Sequence, residues 1–483
     1  MTPARVETLE PRLVWARFLE LTRIARPSKQ EEAARGHVLA WAGERGFPSA
    51  LDEAGNAVVR VPASDGREGA PTVVLQSHLD MVCERDPDSP FDPRAGRIGV
   101  RLEGDWVAAE GTTLGADDGI GVAAAMAVAE DVGSPHGPLE LLFTVSEEEG
   151  LEGAKALDPG LVTGRLLVNL DGAEDGITIG CAGSIHVLLR IDLGPVEDAA
   201  GYRALEARLT GGRGGHSGED IAAGRMNANK ALGRVLARMQ EEVQLRLASF
   251  DGGVSRNAIP RAARAVVAFP EIAAERAHAA AEAELTRLRE QFEGRDDDLV
   301  LSLAPAEEDR FASEETTARL LDLLAATPSG VLSMTHELPG VVETSTCLTV
   351  VGTEDGVVTL GSMIRSSNAE ALEDTAASFE ALARIGGGEI ELRRSYPPWR
   401  PHRDSRLLRT GSATFKRLFG TAPRLTVVHG GLECAVIGEK LPGVDMISIG
   451  PEIEGPHAPG ERLSVPSTAR FYRLLSALLD DLS

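Results

Sequence analysis

Acidic residues and histidines stand in this chain where apolar runs stop. Val73-Val74-Leu75-Gln76-Ser77 runs into His78-Leu79-Asp80, and Gly115-Ala116 leads into Asp117-Asp118 ahead of an alanine-rich stretch. Leu141-Leu142-Phe143-Thr144-Val145 ends in Ser146-Glu147-Glu148-Glu149-Gly150, and Leu166-Leu167-Val168-Asn169-Leu170 ends in Asp171. Far downstream, Met446-Ile447-Ser448-Ile449-Gly450 leads toward His457. In open α/β sheets, sites form at the carboxyl ends of strands. Two histidines and several carboxylates converging there can hold two divalent metals.

The residue types suggest a division of labour. His78 and Asp80 are one residue apart, so at a strand end their side chains point the same way. One can ligate a metal while the carboxylate hydrogen-bonds the imidazole and fixes its tautomer. Asp117 can bridge two cations with one oxygen each, and Asp118 suits a helix N-cap. Of Glu147 and Glu148, one can bind metal while the other stays unligated and moves a proton. Asp171 and His457 complete the set. Such ligands suit zinc, and also manganese or cobalt. Taken singly, each has an ordinary alternative: a turn His-Asp pair, a cap, a solvated acidic patch, a turn aspartate, a loop histidine.

These residues need a scaffold, and the chain is long enough for two domains at 483 residues with 43% hydrophobic content. A formal net charge of -25 argues against nucleic acid or an anionic membrane surface as the main partner. No apolar run approaches the roughly 18 residues of a membrane span, and Met1-Thr2-Pro3-Ala4-Arg5-Val6-Glu7 has no apolar signal core. Cys83, Cys181, Cys347 and Cys434 are scattered with no CxxC pair, as expected for reduced thiols in a cytoplasmic protein.

Ser28 and Glu31 have the spacing of a capping box, which predicts a helix through about residue 42. Between about residues 55 and 185, apolar runs alternate with a helix beginning near Asp118, the pattern of a mainly parallel sheet with helices on its faces. The character changes near His186. Helical stretches at 223–243 and 275–292 alternate with apolar strands at 264–269 and 299–303, which reads as an inserted α/β sandwich. Tyr396-Pro397-Pro398-Trp399-Arg400-Pro401 looks like the linker back. The expected domains are therefore 1–186 and 394–483 as two pieces of one α/β unit, with 187–393 inserted between them.

In the insert, Gly211-Gly212-Arg213-Gly214-Gly215-His216-Ser217-Gly218 places His216 in a glycine-rich turn. A flexible loop or a phosphate cradle are its plain readings, but neither GxxxxGK[ST] nor a clean GxGxxG is present. Asn257 in Ser255-Arg256-Asn257 and Arg365 in Met363-Ile364-Arg365 are polar groups that can be buried. A guanidinium suits a substrate carboxylate, because its planar fork binds both oxygens. An ordinary ion pair is the alternative.

In order, His78-Leu79-Asp80, Gly115-Ala116-Asp117, Glu147-Glu148 and Asp171 resemble the pattern of the dinuclear zinc aminopeptidase, carboxypeptidase and aminoacylase superfamily. The longer motifs resemble its aminoacyl-histidine dipeptidase branch, the Xaa-His or non-specific dipeptidases. They are Ser77-His78-Leu79-Asp80-Met81-Val82, Gly111-Thr112-Thr113-Leu114-Gly115-Ala116-Asp117, Gly180-Cys181-Ala182-Gly183, Gly214-Gly215-His216-Ser217-Gly218, His429-Gly430-Gly431-Leu432-Glu433-Cys434, and Ser448-Ile449-Gly450-Pro451 leading to Gly455-Pro456-His457. The similarity runs from about residue 10 to 480.

The resemblance implies a zinc-peptidase-like catalytic domain interrupted by a lid and dimerisation domain. It implies His78, Asp117 and Asp171 on one metal, with Asp117 bridging to a second held also by Glu148 and His457. Asp80 would orient His78, and Glu147 would be the general base. His216 would stabilise the oxyanion from the lid, within its own subunit or across a homodimer. Arg365 and Asn257 would hold the C-terminal end of the substrate. The implied activity is hydrolysis of dipeptides, Xaa-His among them, by a cytoplasmic homodimer with two divalent ions, most simply Zn²⁺, with Mn²⁺ or Co²⁺ as alternatives. The rivals are a hydrolase of N-acyl amino acids or longer peptides, and a catalytically silent metal-binding protein, which would have no use for Glu147. Two positions depart from the family pattern: Asp118 stands where an asparagine is common, and Thr346-Cys347 falls in a segment that faces the substrate in relatives.

Overall fold

The runs that end in acidic residues are short, apolar and continuous, as strands buried on both faces must be. Val73–His78, Leu139–Thr144 and Leu166–Asn169 are strands buried at every position. They lie parallel, with Val73–His78 between the other two. Asp445–Ser448 joins parallel beside Leu166–Asn169. Ser49–Leu51 and Ala57–Val61 extend one side antiparallel, and Gly176–Cys181 pairs antiparallel with Asp445–Ser448 on the other. Arg424–Val428 completes an eight-stranded sheet whose parallel centre sends its carboxyl ends to one edge. The computed structural model describes residues 6–172, 176–194, 197–198, 200–336, 338–402 and 404–483.

Helix Ala116–Glu130 is buried along most of its length, which its small side chains permit, and it packs on Val73–His78 and on helix Arg12–Leu21. Asp117 and Asp118 have non-helical torsions, and the peptide between them is cis. Asp118 accepts the Gly121 N–H at 3.1 Å, so it caps the regular part of the helix, and its other oxygen accepts the His78 N–H at 3.2 Å.

The expected capping box does not form. Helix Glu32–Glu44 begins after Glu31 without a side-chain cap. Ser28 Oγ instead donates to Asp80 Oδ2 at 2.7 Å, and Glu31 Oε1 accepts both the N–H and the hydroxyl of Ser146 at 2.9 Å. Buried donors need partners more than an accessible helix end does, so both side chains turn to the strand-end loops. The helix expected from residue 223 starts later, at Ala228, where Asn227 caps it and Gly224 has just taken a left-handed turn.

The chain divides into two compact units, Met1–Cys181 with Trp399–Val427 and Leu432–Ser483, and Ala182–Pro398 with Val428–Gly431. The second is a two-layer α/β sandwich. Its sheet is antiparallel, in the order Val300–Pro305, Tyr202–Thr210, Ala263–Pro270, Arg246–Gly252, Val342–Glu354, Val357–Ser366, Gly183–Asp192, Glu389–Tyr396, and Gly330–Met334 adds to Val342–Glu354. Helices Ala228–Glu242, Ala274–Gln291, Glu314–Ala326 and Ala369–Gly386 form the other layer. Leu232, Val235, Leu236, Val267, Phe269 and Leu320 are at the centre of its core. No described helix is long and apolar enough to cross a membrane.

Candidate metal centre

Asp117 lies between two histidines. His78 Nε2 is 3.0 Å from Asp117 Oδ1, and His457 Nε2 is 3.2 Å from Asp117 Oδ2. His457 Nε2 is also 2.9 Å from Glu148 Oε2, and His78 Nε2 is 4.0 Å from Asp171 Oδ2. His78, Asp117 and Glu148 each offer a ligand atom within 4.8 Å of the others. In a tetrahedral zinc site with bonds near 2.0–2.1 Å, ligand atoms stand about 3.3 Å apart. The observed separations would suit ligands sharing ions, and the two oxygens of Asp117 are presented to different histidines, as a bridge would require. Glu148 Oε1 is buried without a hydrogen-bond partner, a further sign that a cation belongs there.

The strand ends deliver these side chains. His78 closes its strand, Asp117 opens the buried helix, and Glu147 and Glu148 follow Ser146, which takes a positive φ of 51° and turns the chain away from Leu139–Thr144. His457 is also left-handed, at φ 66°, a costly conformation for a residue with a Cβ. Asp80 works on two fronts. Its Oδ1 is 3.3 Å from His78 Nδ1, and its two oxygens accept the N–H groups of Glu147 and Glu148 at 3.0 and 3.1 Å. One carboxylate thus faces the rear of the imidazole and fixes the turn that carries both glutamates.

The electrostatics are those of a negative cluster seeking cations. Burial opposes protonated His78, but its contacts with Asp117 and Asp80 hold its pKa well above the usual histidine value. Bonds to Asp117 and Glu148 push His457 up to about 11. Burial would raise Asp117, yet the two histidines bring it below the carboxylate range, and Asp80 falls to about 2 against its own burial through His78. Glu147 and Asp171 are pushed well above the carboxylate range, by burial first and by neighbouring carboxylates next. Burial takes Asp118 to about 8 and Glu433 to about 7. Divalent cations held here would offset this negative charge.

Several supporting residues have no signal in the sequence pattern. Glu461 is buried, and its carboxylate accepts the N–H groups of Leu114, Gly115, Ala116 and Asp117 at 2.6, 2.9, 2.8 and 3.3 Å. Buried Arg26 donates to the carbonyls of Leu79 and Asp80 at 2.9 and 2.7 Å, and to that of Gly115. The loop before Asp117 is therefore gripped by an anion on its N–H groups and a cation on a carbonyl. Beneath the ligands, Ser448, Asn169, Gln76 and Thr144 form a hydrogen-bonded row across the four parallel strands, and Gln76 and Thr144 both donate to Glu433 Oε2.

The second unit gathers His216, Asn257 and Arg365. His216 Nδ1 accepts the Glu219 N–H at 3.1 Å, which leaves the proton of the neutral ring on Nε2. Burial and then Arg365 lower the pKa of His216. Arg365 is buried and donates to Tyr396 Oη at 3.1 Å and Asn257 Oδ1 at 3.2 Å, while its Nε has no partner. Among the described residues no carboxylate pairs with it. Arg365 stands opposite Ser345 and Ser184 in the sheet. Ser345 Oγ lies 2.7 Å from Nε2 of buried His429, whose role the motif around it did not reveal. Gly218 separates His429 from Arg365, since a Cβ there would lie 2.1 Å from the His429 carbonyl oxygen and 3.1 Å from the guanidinium. Thr346 and Cys347 are both buried in the same strand.

Three family models match parts of the chain: Peptidase family M20/M25/M40 over residues 272–481, Peptidase dimerisation domain over 204–296 and Peptidase family M28 over 56–179. The chain is 37% identical to the cytosol non-specific dipeptidase of Escherichia coli over 99% of both chains. It resembles the crystal structure of aminoacylhistidine dipeptidase from Vibrio alginolyticus with a TM-score of 0.89 and 36% identity, covering 99% of this chain and 98% of that one. The fold alone is shared with aminopeptidase PepT of Bacillus cereus, at a TM-score of 0.57, 18% identity, and 98% and 99% coverage.

Proposed function

The chain belongs to peptidase family M20/M25/M40, and we propose that it is a cytoplasmic dipeptidase with two zinc ions, working as a homodimer. It is a metallopeptidase, a hydrolase of peptide bonds. The observation that carries the metal assignment is Asp117, each of whose oxygens is faced by a different histidine.

In this proposal His78, Asp117 and Asp171 hold one ion, and Asp117, Glu148 and His457 the other. When bound, the ions polarise the scissile carbonyl and bring the pKa of a water near neutrality. Asp80 holds His78 in the ligating tautomer. Glu147 takes the proton of the attacking water and returns it to the leaving amine. His216 presents Nε2–H to the developing oxyanion, a contact of the kind worth about 3–4 kcal/mol in other hydrolases. Arg365 and Asn257 receive the C-terminal carboxylate of the substrate. Demanding a carboxylate one residue beyond the scissile bond would select dipeptides over longer chains, His-ended dipeptides among them.

The test is hydrolysis of Ala-His, β-Ala-His, Gly-Gly, Ala-Leu and one tripeptide by the pure protein, with EDTA treatment and Zn²⁺, Mn²⁺ or Co²⁺ added back. Chelator-sensitive cleavage of dipeptides and not the tripeptide is expected. Cleavage of N-acyl amino acids without dipeptides would overturn the substrate assignment, and no cleavage with any metal would overturn the enzyme.

A further inference from the structure

The second unit contains a cavity of about 330 Å³ that runs against the charge of the rest of the chain. Arg225, Lys230, Arg234 and Arg295 line it, and no aspartate or glutamate does so among the described residues. In a chain with 74 acidic and 49 basic residues, a cavity walled by four cations and no acid is against the background. Its volume falls in the range of small-molecule sites.

The four cations are not equally compensated. Arg225 pairs with Asp220 at 3.1 Å and Arg234 with buried Glu284 at 2.6 Å. Lys230 and Arg295 have only neutral partners. Lys230 Nζ donates to the carbonyls of Leu324, Ala325 and Thr327, and caps helix Glu314–Ala326. Arg295 donates to the carbonyls of Gly224 and Gln291 and lies over the Phe292 ring. Carbonyls fix these cations in place without neutralising them. The cavity thus has an excess of two positive charges, held in position before any ligand arrives. Lys230 feels this: burial, and then Arg234, lower its pKa to about 8.

One wall leads to His216. Arg225 donates to the Gly214 carbonyl at 2.6 Å, and its partner Asp220 accepts the His216 N–H at 2.8 Å. Ile259, also in the wall, pairs with Gly215 in the short two-stranded ribbon that carries His216. A Cβ on Gly215 would lie 2.3 Å from the Arg225 guanidinium and 2.6 Å from the Asp220 carboxylate, so the three groups are in close contact. An anion drawing Arg225 into the cavity would compete with Asp220, which holds the His216 N–H.

We propose that this cavity binds a small dianion, a phosphate or a dicarboxylate, and that its occupation is transmitted to His216 through Arg225 and Asp220. A dianion matches the two uncompensated charges, and Phe292 and Ile221 add apolar lining beside them. The binding site rests on the second unit alone, and only its kinetic effect rests on the role proposed for His216.

The experiment is calorimetric titration of the metal-loaded full-length protein with inorganic phosphate, with succinate and with acetate as a monoanion control. It is repeated on Arg295→Gln and Arg295→Lys, with circular dichroism confirming that both are folded. Saturable binding of a dianion, weakened tenfold or more in Arg295→Gln and largely kept in Arg295→Lys, is expected, with acetate inert. Binding of phosphate alone or succinate alone supports the site and identifies its source. Dipeptide hydrolysis is followed in parallel. The dianion should lower kcat at saturating dipeptide in the wild type and much less in Arg295→Gln. Identical isotherms for wild type and Arg295→Gln would overturn the site, and purely competitive inhibition would overturn its link to His216. Dianion binding by a protein that cleaves no dipeptide would leave the site standing and remove the function proposed above.

Discussion

The Glu461 carboxylate holds the backbone of Asp117, and of the three residues before it, from a position only four residues beyond His457. One short loop therefore supplies a candidate ligand and also fixes the other candidate ligand that this histidine meets. Glu461→Ala strands four N–H donors in a buried place. The expected cost is roughly 3 kcal/mol or more, since each unpaired buried donor costs about 1–3 kcal/mol. Thermal unfolding should show a clear drop in Tm, and metal titration should show weaker binding. Glu461→Gln should recover little, because its amide turns N–H groups toward N–H groups.

Asp80→Ala removes both the group behind His78 and the acceptor for the Glu147 and Glu148 N–H groups. A loss of about 10–100-fold in metal affinity is expected for the first role alone. The second role adds a fall in kcat that survives saturation with metal. Equilibrium dialysis against zinc and rates at excess zinc separate the two.

Glu147→Gln keeps the shape of the side chain and removes the proton acceptor. Turnover should fall by about 10²–10⁴-fold, the usual contribution of a general base. Metal content by elemental analysis should stay at the wild-type value. A fall in bound metal to match the activity would make Glu147 a ligand instead.

His429 makes stability depend on pH in a definite direction. Burial, followed by Arg365 and His216, lowers its pKa to about 4 in the folded chain, against about 6.5 when unfolded. Between those values the unfolded chain binds a proton that the folded chain refuses. This contribution is intact above about pH 6.5 and is lost as pH falls toward 4, amounting to roughly 3 kcal/mol over the interval. The shift in Tm between pH 7 and pH 5 should be smaller in His429→Asn than in the wild type. An equal shift would mean that His429 keeps its proton when buried.

The convergence of His78, Asp117, Glu148 and His457 was legible because strand ends and helix starts are marked by changes in residue type. The apolar runs fixed where the strands lie, and their carboxyl ends face one way in a parallel sheet. Arg26, Glu31 and Glu461 were not legible. Each is a charged residue in a segment that looks like surface, and each is buried because backbone groups tens or hundreds of residues away need its charge. Ser28 and Glu31 show the same limit from the other side. Their spacing is that of a capping box, and the stronger demand of Asp80 and Ser146 draws both away. In the second unit, the glycine-rich turn marked His216 but not the use of Gly218, whose missing Cβ leaves room for the His429 carbonyl and the Arg365 side chain.

The position of Asp445–Ser448 beside Leu166–Asn169 sets an order of events during synthesis. Two strands adjacent in space are separated by more than 270 residues of chain, so the parallel sheet cannot close until Asp445–Ser448 has left the ribosome. Ala182–Pro398 makes most of its contacts within itself and is free to fold first. His457 follows the closing strand by nine residues. The candidate ligand His457 therefore joins His78, Asp117 and Glu148 only after that strand has been made.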